Sequence, residues 1–329
     1  MKIRKMFLAA VSVLVCSGAA MADPDPDFRI FLCIGQSNMV GQGVAEAVDR
    51  VQKDRFQFMP VTSCFGKDVY KWKAAVPPLS YTNCGLGPSD YFGRTMIQYL
   101  PDNVRVGVIV VAVNGTAITL FDPDKQEEHM KNVYADASLA YQVAQIEMFE
   151  DKSPLKTLIK SARLAQKDGV ISGILLHQGE TDAYNDGWCE EVKKIYEYIL
   201  QELDLNASDV PLIAGEVVRG DATHPGQCTG ANTYINKLPK FIKTAYVVTS
   251  NGCSCGMDYL HFNTGGYRML GRRYAQAYLE KYLGISMSGV GDIAESAEPD
   301  QVYTLEGYPL AAPRKGLNII NGRKYLIHE

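Results

Sequence analysis

Residues 29–39 read RIFLCIGQSNM, and the fold follows from how this stretch is parsed. Residues 29–34 are almost wholly apolar, too short for a helix and bounded by a glycine, which is the pattern of a strand buried on both faces. Gly35 then lets the backbone turn sharply, and Gln36, Ser37 and Asn38 follow as polar groups at the strand exit. The same grammar recurs along the chain. Residues 104–113 (VRVGVIVVAV) form the clearest buried strand and end in Asn114-Gly115-Thr116. Residues 170–176 form another, ending in His177-Gln178-Gly179-Glu180, and residues 211–218 and 245–249 read as two more. The last feeds a loop that closes on Asp258-Tyr259-Leu260-His261-Phe262. Helical spacing falls between them: 88–100, stopped by Pro101; 134–167, broken at Ser153-Pro154; 187–203; a short piece near 234–242; and 265–282. Residues 40–87 hold few periodic signals and read as long surface loops. Strands alternating with helices predict an α/β fold, a mostly parallel sheet covered on both faces. In such sheets ligands bind beyond the carboxyl ends of the strands.

The strand exits therefore carry the candidate chemistry. A serine hydroxyl needs an adjacent base to act as a nucleophile. Ser37 is the candidate nucleophile and His261 the candidate base. Asp258 lies three residues before His261 and reaches the other ring nitrogen if the loop curls into a helical turn. Charge developing on an oxyanion calls for donors, and the Ser37 amide, the Gly115 amide and the Gln178 side chain are placed to supply them. Gln36, Asn38, Asn114 and Trp188 are candidate substrate contacts, Trp188 as a stacking surface for a sugar ring. His177 reads as a packed structural residue, His129 as a solvated loop residue, and Glu216 as a structural partner of neighbouring loops.

The Gly-Gln-Ser-Asn-Met, His-Gln-Gly-Glu and Asp-x-x-His-Phe segments, in this order and each at a strand exit, resemble the SGNH-hydrolase superfamily. More narrowly they resemble its sialate O-acetylesterase-like branch, which includes acetylxylan esterases of carbohydrate esterase family six. The resemblance covers about residues 28–283. It implies a three-layer α/β/α flavodoxin-like sheet and serine hydrolysis of acetyl esters on carbohydrate, with neither metal nor organic cofactor. Ser37 matches the nucleophile, His261 the base and Gly115 the second block's glycine; Gln178 stands where the wider superfamily has Asn, and Asn114 replaces the first of two usual glycines. The triad acid stays open between Asp258, which fits Asp-x-x-His, and Glu180 of His-Gln-Gly-Glu. The expected substrate is an acetylated plant polysaccharide such as acetylxylan, with O-acetylated sialic acid or pectin as alternatives. A non-catalytic glycan-binding protein would lack the nucleophile or the base, and both are present.

The ends of the chain differ from its middle. Residues 1–22 combine Lys2, Arg4 and Lys5 with an apolar run over 6–15 and the small residues Ala20 and Ala22, the pattern of a secretory signal peptide. Its removal would take three basic and no acidic residues, so a net charge of −4 becomes −7. A balance of 33 basic against 37 acidic residues argues against binding to nucleic acid, and no later apolar run is long enough for a membrane span. A hydrophobic share of 47% with 21% charged residues excludes a disordered chain. Export would leave seven cysteines in an oxidising compartment, where pairing is expected. Cys64 with Cys84, and Cys228 with Cys253 or Cys255, are the candidate disulfides, while Cys33 reads as a buried thiol. Zinc held by Cys228, Cys253, Cys255 and His261 is the alternative. Residues 284–301 read as a linker. Residues 302–329 read as a β-rich tail with an Asn321-Gly322 hairpin turn, and they resemble the tails of secreted bacterial proteins that carry a type-nine sorting signal.

Overall fold

In the computed structural model, residues 23–287 are described, together with the backbone of four short strands between 302 and 327. The central strand is β1 (Asp25–Gly35), whose residues 28–35 pair with 105–112 of one neighbour and 29–35 with 170–177 of the other, both parallel. With β2 (Phe56–Phe58), β3 (Lys73–Ala74), β4 (Arg105–Ala112), β5 (Gly169–His177), β6 (Leu212–Gly215) and β7 (Ala245–Val248) it makes one sheet of order β3-β2-β4-β1-β5-β6-β7. Only the edge strand β3 runs antiparallel. The expected mostly parallel sheet is therefore present.

Both faces are covered. The helices are α1 (Ser37–Val40), α2 (Pro88–Tyr99), α3 (Gln126–Ala135), α4 (Ala140–Ile146), α5 (Pro154–Ala165), α6 (Trp188–Glu202), α7 (Asn232–Ile235) and α8 (Thr264–Gln276), the last followed by a π-helical stretch, Ala277–Tyr282. Side chains alternate across β1. Phe31 meets Phe92 of α2 edge-on at 4.7 Å, and on the opposite side Ile34 lines a small apolar cavity together with Val192, Ile195 and Ile199 of α6. Phe31, Ile34 and Ile195 are buried, and each such side chain contributes about 1.5–3 kcal/mol relative to exposure.

The chain leaves β1 toward β2 on one side and β5 toward β6 on the other. The crevice between such diverging connections is where ligands sit in open α/β sheets. Ser37 and Gln178 lie at those two exits.

Several expectations change. Residues 40–87 are not all loop, because Phe56-Gln57-Phe58 joins the sheet beside β4 and Lys73-Ala74 caps its edge; strands this short carry no readable period. The helical region expected over 134–167 begins earlier, at Gln126, and is interrupted before Ser153 caps α5 through Lys156 N–H. The expected disulfides are not formed: Cys33, Cys64, Cys84, Cys189, Cys228, Cys253 and Cys255 are all thiols. The Cys84 sulfur instead lies 3.1 Å from Tyr81 O and 3.5 Å from Val40 O, and Cys253 lies 3.4 Å from the Arg273 guanidinium.

Residues 276–329 form a second unit. Its strands β8 (Val302–Tyr303), β9 (Pro309–Leu310), β10 (Gly316–Ile320) and β11 (Arg323–Ile327) form an antiparallel sheet of order β11-β10-β8-β9. β10 and β11 pair as a hairpin whose register closes with Ile320 opposite Arg323. The signal-peptide segment and most of the expected linker lie outside the described residues.

Candidate active site

Gly35 ends β1 where no other residue fits. Its φ is +152°, and a Cβ there would collide with the His177 carbonyl of β5. The close approach lets Gln36 N–H donate to His177 O at 3.1 Å and starts α1 at Ser37.

His261 bridges the site. Its Nε2 lies 2.9 Å from Ser37 Oγ and its Nδ1 lies 2.7 Å from Asp258 Oδ2. The curl expected of the Asp-x-x-His segment is present, because Asp258 Oδ1 accepts the N–H groups of Leu260 and His261 at 3.1 Å each. Tyr259, inside that turn, takes a positive φ of 51°. Partial burial alone would raise the Asp258 pKa, but His261 and the two backbone N–H groups hold the carboxyl below its usual range. An ionised carboxylate on Nδ1 keeps the proton there and leaves Nε2 free to accept from the serine hydroxyl. With both ring nitrogens so engaged, His261 is not a zinc ligand in this arrangement, and among the described residues no cluster of His, Cys, Asp or Glu is arranged to hold a metal ion.

Glu180 lies elsewhere. Its Oε1 accepts from Asn38 Nδ2 at 2.5 Å and stands 3.7 Å from His177 Nε2. Burial pushes its carboxyl up. His177 is fully buried, its Nδ1 sits 3.1 Å from the Tyr274 hydroxyl, and burial pushes its pKa down to about 3. It is therefore a neutral packing residue, as its sequence position suggested. The structure thus pairs His261 with Asp258 and gives Glu180 to Asn38.

Two of the four candidate substrate contacts, Trp188 and Asn38, are corrected. Trp188 is 1% exposed, and its indole N–H donates to Gln178 Oε1, so it has no face to offer a sugar. Asn38 is fully buried with its whole amide used by protein groups. Gln36 is buried and its Oε1 accepts from Gln178 Nε2 and Thr181 N–H. Asn114 alone is partly exposed. Gln178 also departs from its expected part: its Nε2 faces Asp182 Oδ2, Gln36 Oε1 and Thr116 O, which leaves neither of its two protons for an oxyanion. Asp182, absent from the sequence reading, organises this layer by also accepting Ile118 N–H at 2.8 Å. Residue type and spacing signalled that the Gln178 exit matters. They could not show which way its amide points.

The second block stands beside Ser37. Gln42 Nε2 lies 3.4 Å from Ser37 O and 3.3 Å from Asn114 Oδ1, linking the two exits. Gly115 has φ +66°, and a Cβ there would strike the Tyr141 hydroxyl. Its carbonyl accepts from Gln142 Nε2 and the Thr181 hydroxyl, while its N–H has no protein acceptor among the described residues. Tyr141, 48% exposed, is thus a wall residue of the site that the sequence did not single out. His129 is likewise not a free loop residue. It lies in α3 and meets the hydroxyls of Thr116 and Thr119, which braces the loop after Gly115.

The fold is a mostly parallel α/β sheet, and at its strand exits Ser37, His261 and Asp258 stand in one line of contact. A family model described as carbohydrate esterase, sialic acid-specific acetylesterase, matches residues 27–280, and the chain belongs to that family. A probable carbohydrate esterase of Arabidopsis thaliana is 24% identical over 286 residues, 79% of this chain and 93% of that protein. A solved Arabidopsis thaliana structure superposes with TM-score 0.59 at 20% identity, over 78% of this chain and all of the other. NanS superposes with TM-score 0.56 at 14% identity, over 80% and 99%. A carbohydrate acetylesterase from Xanthomonas citri gives 0.52 at 16%, over 78% and 57%. At these identities the structural likenesses speak for the fold, and the family match speaks for carbohydrate esterase activity.

Proposed function

We propose that this chain is an exported O-acetylesterase that removes acetyl groups from a neutral plant polysaccharide such as acetylxylan, with Ser37, His261 and Asp258 as its triad. The observation that carries the reading is the continuous contact from Ser37 Oγ to His261 Nε2 at 2.9 Å and from His261 Nδ1 to Asp258 at 2.7 Å. Ser37 Oγ attacks the acetyl carbonyl while His261 takes its proton. The amides of Ser37 and Gly115 receive the charge that develops on the carbonyl oxygen. His261 returns the proton to the departing sugar oxygen, then activates the water that releases acetate.

A neutral substrate is favoured by the groups around the nucleophile: Gln42, Asn114, Thr181 and Asp258 are neutral or acidic. The guanidinium of Arg219, in the loop after β6, is held by the Glu216 carboxylate. O-acetylated sialic acid is the second reading, favoured by the description of the matching family. The test is acetate release from acetylated xylan and from O-acetylated sialic acid by the wild type and Ser37→Ala. The expected result is faster release from xylan, and a loss of about 10⁴-fold or more in Ser37→Ala. Activity retained in Ser37→Ala would remove the mechanism; preference for sialic acid would move the substrate to the second reading.

A further inference from the structure

The residue after the nucleophile makes contacts that the mechanism has not used. Asn38 Nδ2 donates to Leu260 O at 3.0 Å, and Phe262 N–H donates to Asn38 Oδ1 at 3.2 Å. Leu260 O belongs to the peptide bond that enters His261, and Phe262 N–H to the one that leaves it. One side-chain amide therefore grips both peptide groups of the base. The remaining capacity of that amide is also spent, with Glu180 Oε1 at 2.5 Å on the donor side and the Tyr267 hydroxyl at 2.7 Å on the acceptor side. Asn38 has no exposed surface. Its own backbone is fixed in α1 beside Ser37.

We infer that Asn38 is a positioning residue for the reaction, a clamp that ties the nucleophile's turn to the backbone of His261 and thereby fixes the contact between Ser37 Oγ and His261 Nε2. The inference rests on the proposed Ser37–His261 chemistry. The loop that bears His261 lies 224 residues from Ser37 in sequence and is partly exposed. Asn38 links the two loops directly from the position adjacent to the nucleophile. Glu180, on β5's exit, braces the clamp from behind, and Tyr267 of α8 does so from the far side. A neighbouring side chain with only one polar atom could hold one of the two peptide groups, whereas a carboxamide offers a donor and an acceptor in one plane. Misplacement of a catalytic group by about 1 Å can cost on the order of 100-fold.

The test measures kcat and KM on p-nitrophenyl acetate for Asn38→Ala and Asn38→Asp, with the rate at which an organophosphate labels Ser37, alongside wild type and Ser37→Ala. Asn38→Asp keeps the shape and the acceptor but loses the donor when ionised. Asn38→Ala is expected to lower kcat and the labelling rate by about 100-fold with KM changed less than threefold, and Asn38→Asp to fall between it and wild type. A role in folding alone would lower the yield of active protein and leave the kcat of the folded fraction, counted by active-site titration, unchanged. If Asn38→Ala does not fold, Asn38→Asp decides: a kcat within twofold of wild type overturns the clamp. An inactive Ser37→Ala beside undiminished Asn38 variants removes the clamp alone, while an active Ser37→Ala removes the reading beneath it.

Discussion

A serine hydroxyl beside an imidazole is reactive only if the ring keeps an unprotonated nitrogen toward it, and a carboxylate on the far nitrogen sets that tautomer. Asp258 satisfies this requirement at 2.7 Å, while Glu180 is spent on Asn38 and raised by burial. Asp258→Asn is therefore expected to reduce kcat/KM for p-nitrophenyl acetate by about 10²- to 10⁴-fold. Glu180→Gln keeps an oxygen where Asn38 Nδ2 donates and is expected to cost less than about tenfold. The reverse order in steady-state assays would transfer the acid's role to Glu180. At this scale the sequence was legible where chemistry dictates residue type: Ser37, His261 and Asp258 sit at exits that alternation of strands and helices had already located. It was illegible for Gln36, Asn38, Gln178 and Trp188. Each lies in or near the right segment, but a polar side chain next to a site points either at substrate or at protein, and spacing does not record which. In this fold all four are buried.

Strand exits hold chemistry only if they are held to one another, and β6 and β7 show how. Glu216, one residue past β6 and 1% exposed, accepts from Thr249 Oγ1 and Ser250 N–H past β7, from Asn236 after α7, and from Arg219. Burial alone would raise its pKa, but those donors, Arg219 foremost, hold it at about 2 against an ordinary 4.5. Because the folded form binds its proton more weakly, the stabilisation is fully present above pH 4.5 and is lost as pH falls from 4.5 toward 2. Such a shift corresponds to roughly 3 kcal/mol. Glu216→Gln should accordingly be less stable than wild type near neutral pH, and the two melting temperatures should converge as pH falls toward 2. Parallel curves in thermal scans from pH 6 to 2.5 would exclude a titrating Glu216. The elements themselves were readable where they were long. β4, α2, α5 and α6 lie within a residue or two of where apolar period and the Pro101 and Ser153-Pro154 breaks put them. β2 and β3, three and two residues long, are made by pairing with β4 and with each other, a tertiary cause that leaves no local period.

The charge balance and the cysteines are properties of the whole chain, and here the structure alters the expectation most. Small exported domains need disulfides because their cores are too small to hold them folded. This chain has a seven-stranded sheet covered on both faces, with β1, β4 and β5 buried almost throughout. A core of that extent stands without covalent staples, and Cys33 serves as a small packing group: it is fully buried in β1, where desolvation pushes its thiol up and makes it unreactive. The structure therefore predicts seven thiols in the chain that starts at residue 23. Thiol titration of the purified protein, denatured without reductant, should give seven equivalents, and the native protein fewer, with Cys33 silent. Its melting temperature should be the same with and without dithiothreitol. A count of five would mean that one disulfide forms on export, and mass mapping would place it; Cys64 with Cys84 is the first pair to examine, because their charges are close enough to influence each other. An odd total makes the measurement decisive, since each bond removes two thiols and leaves at least one free.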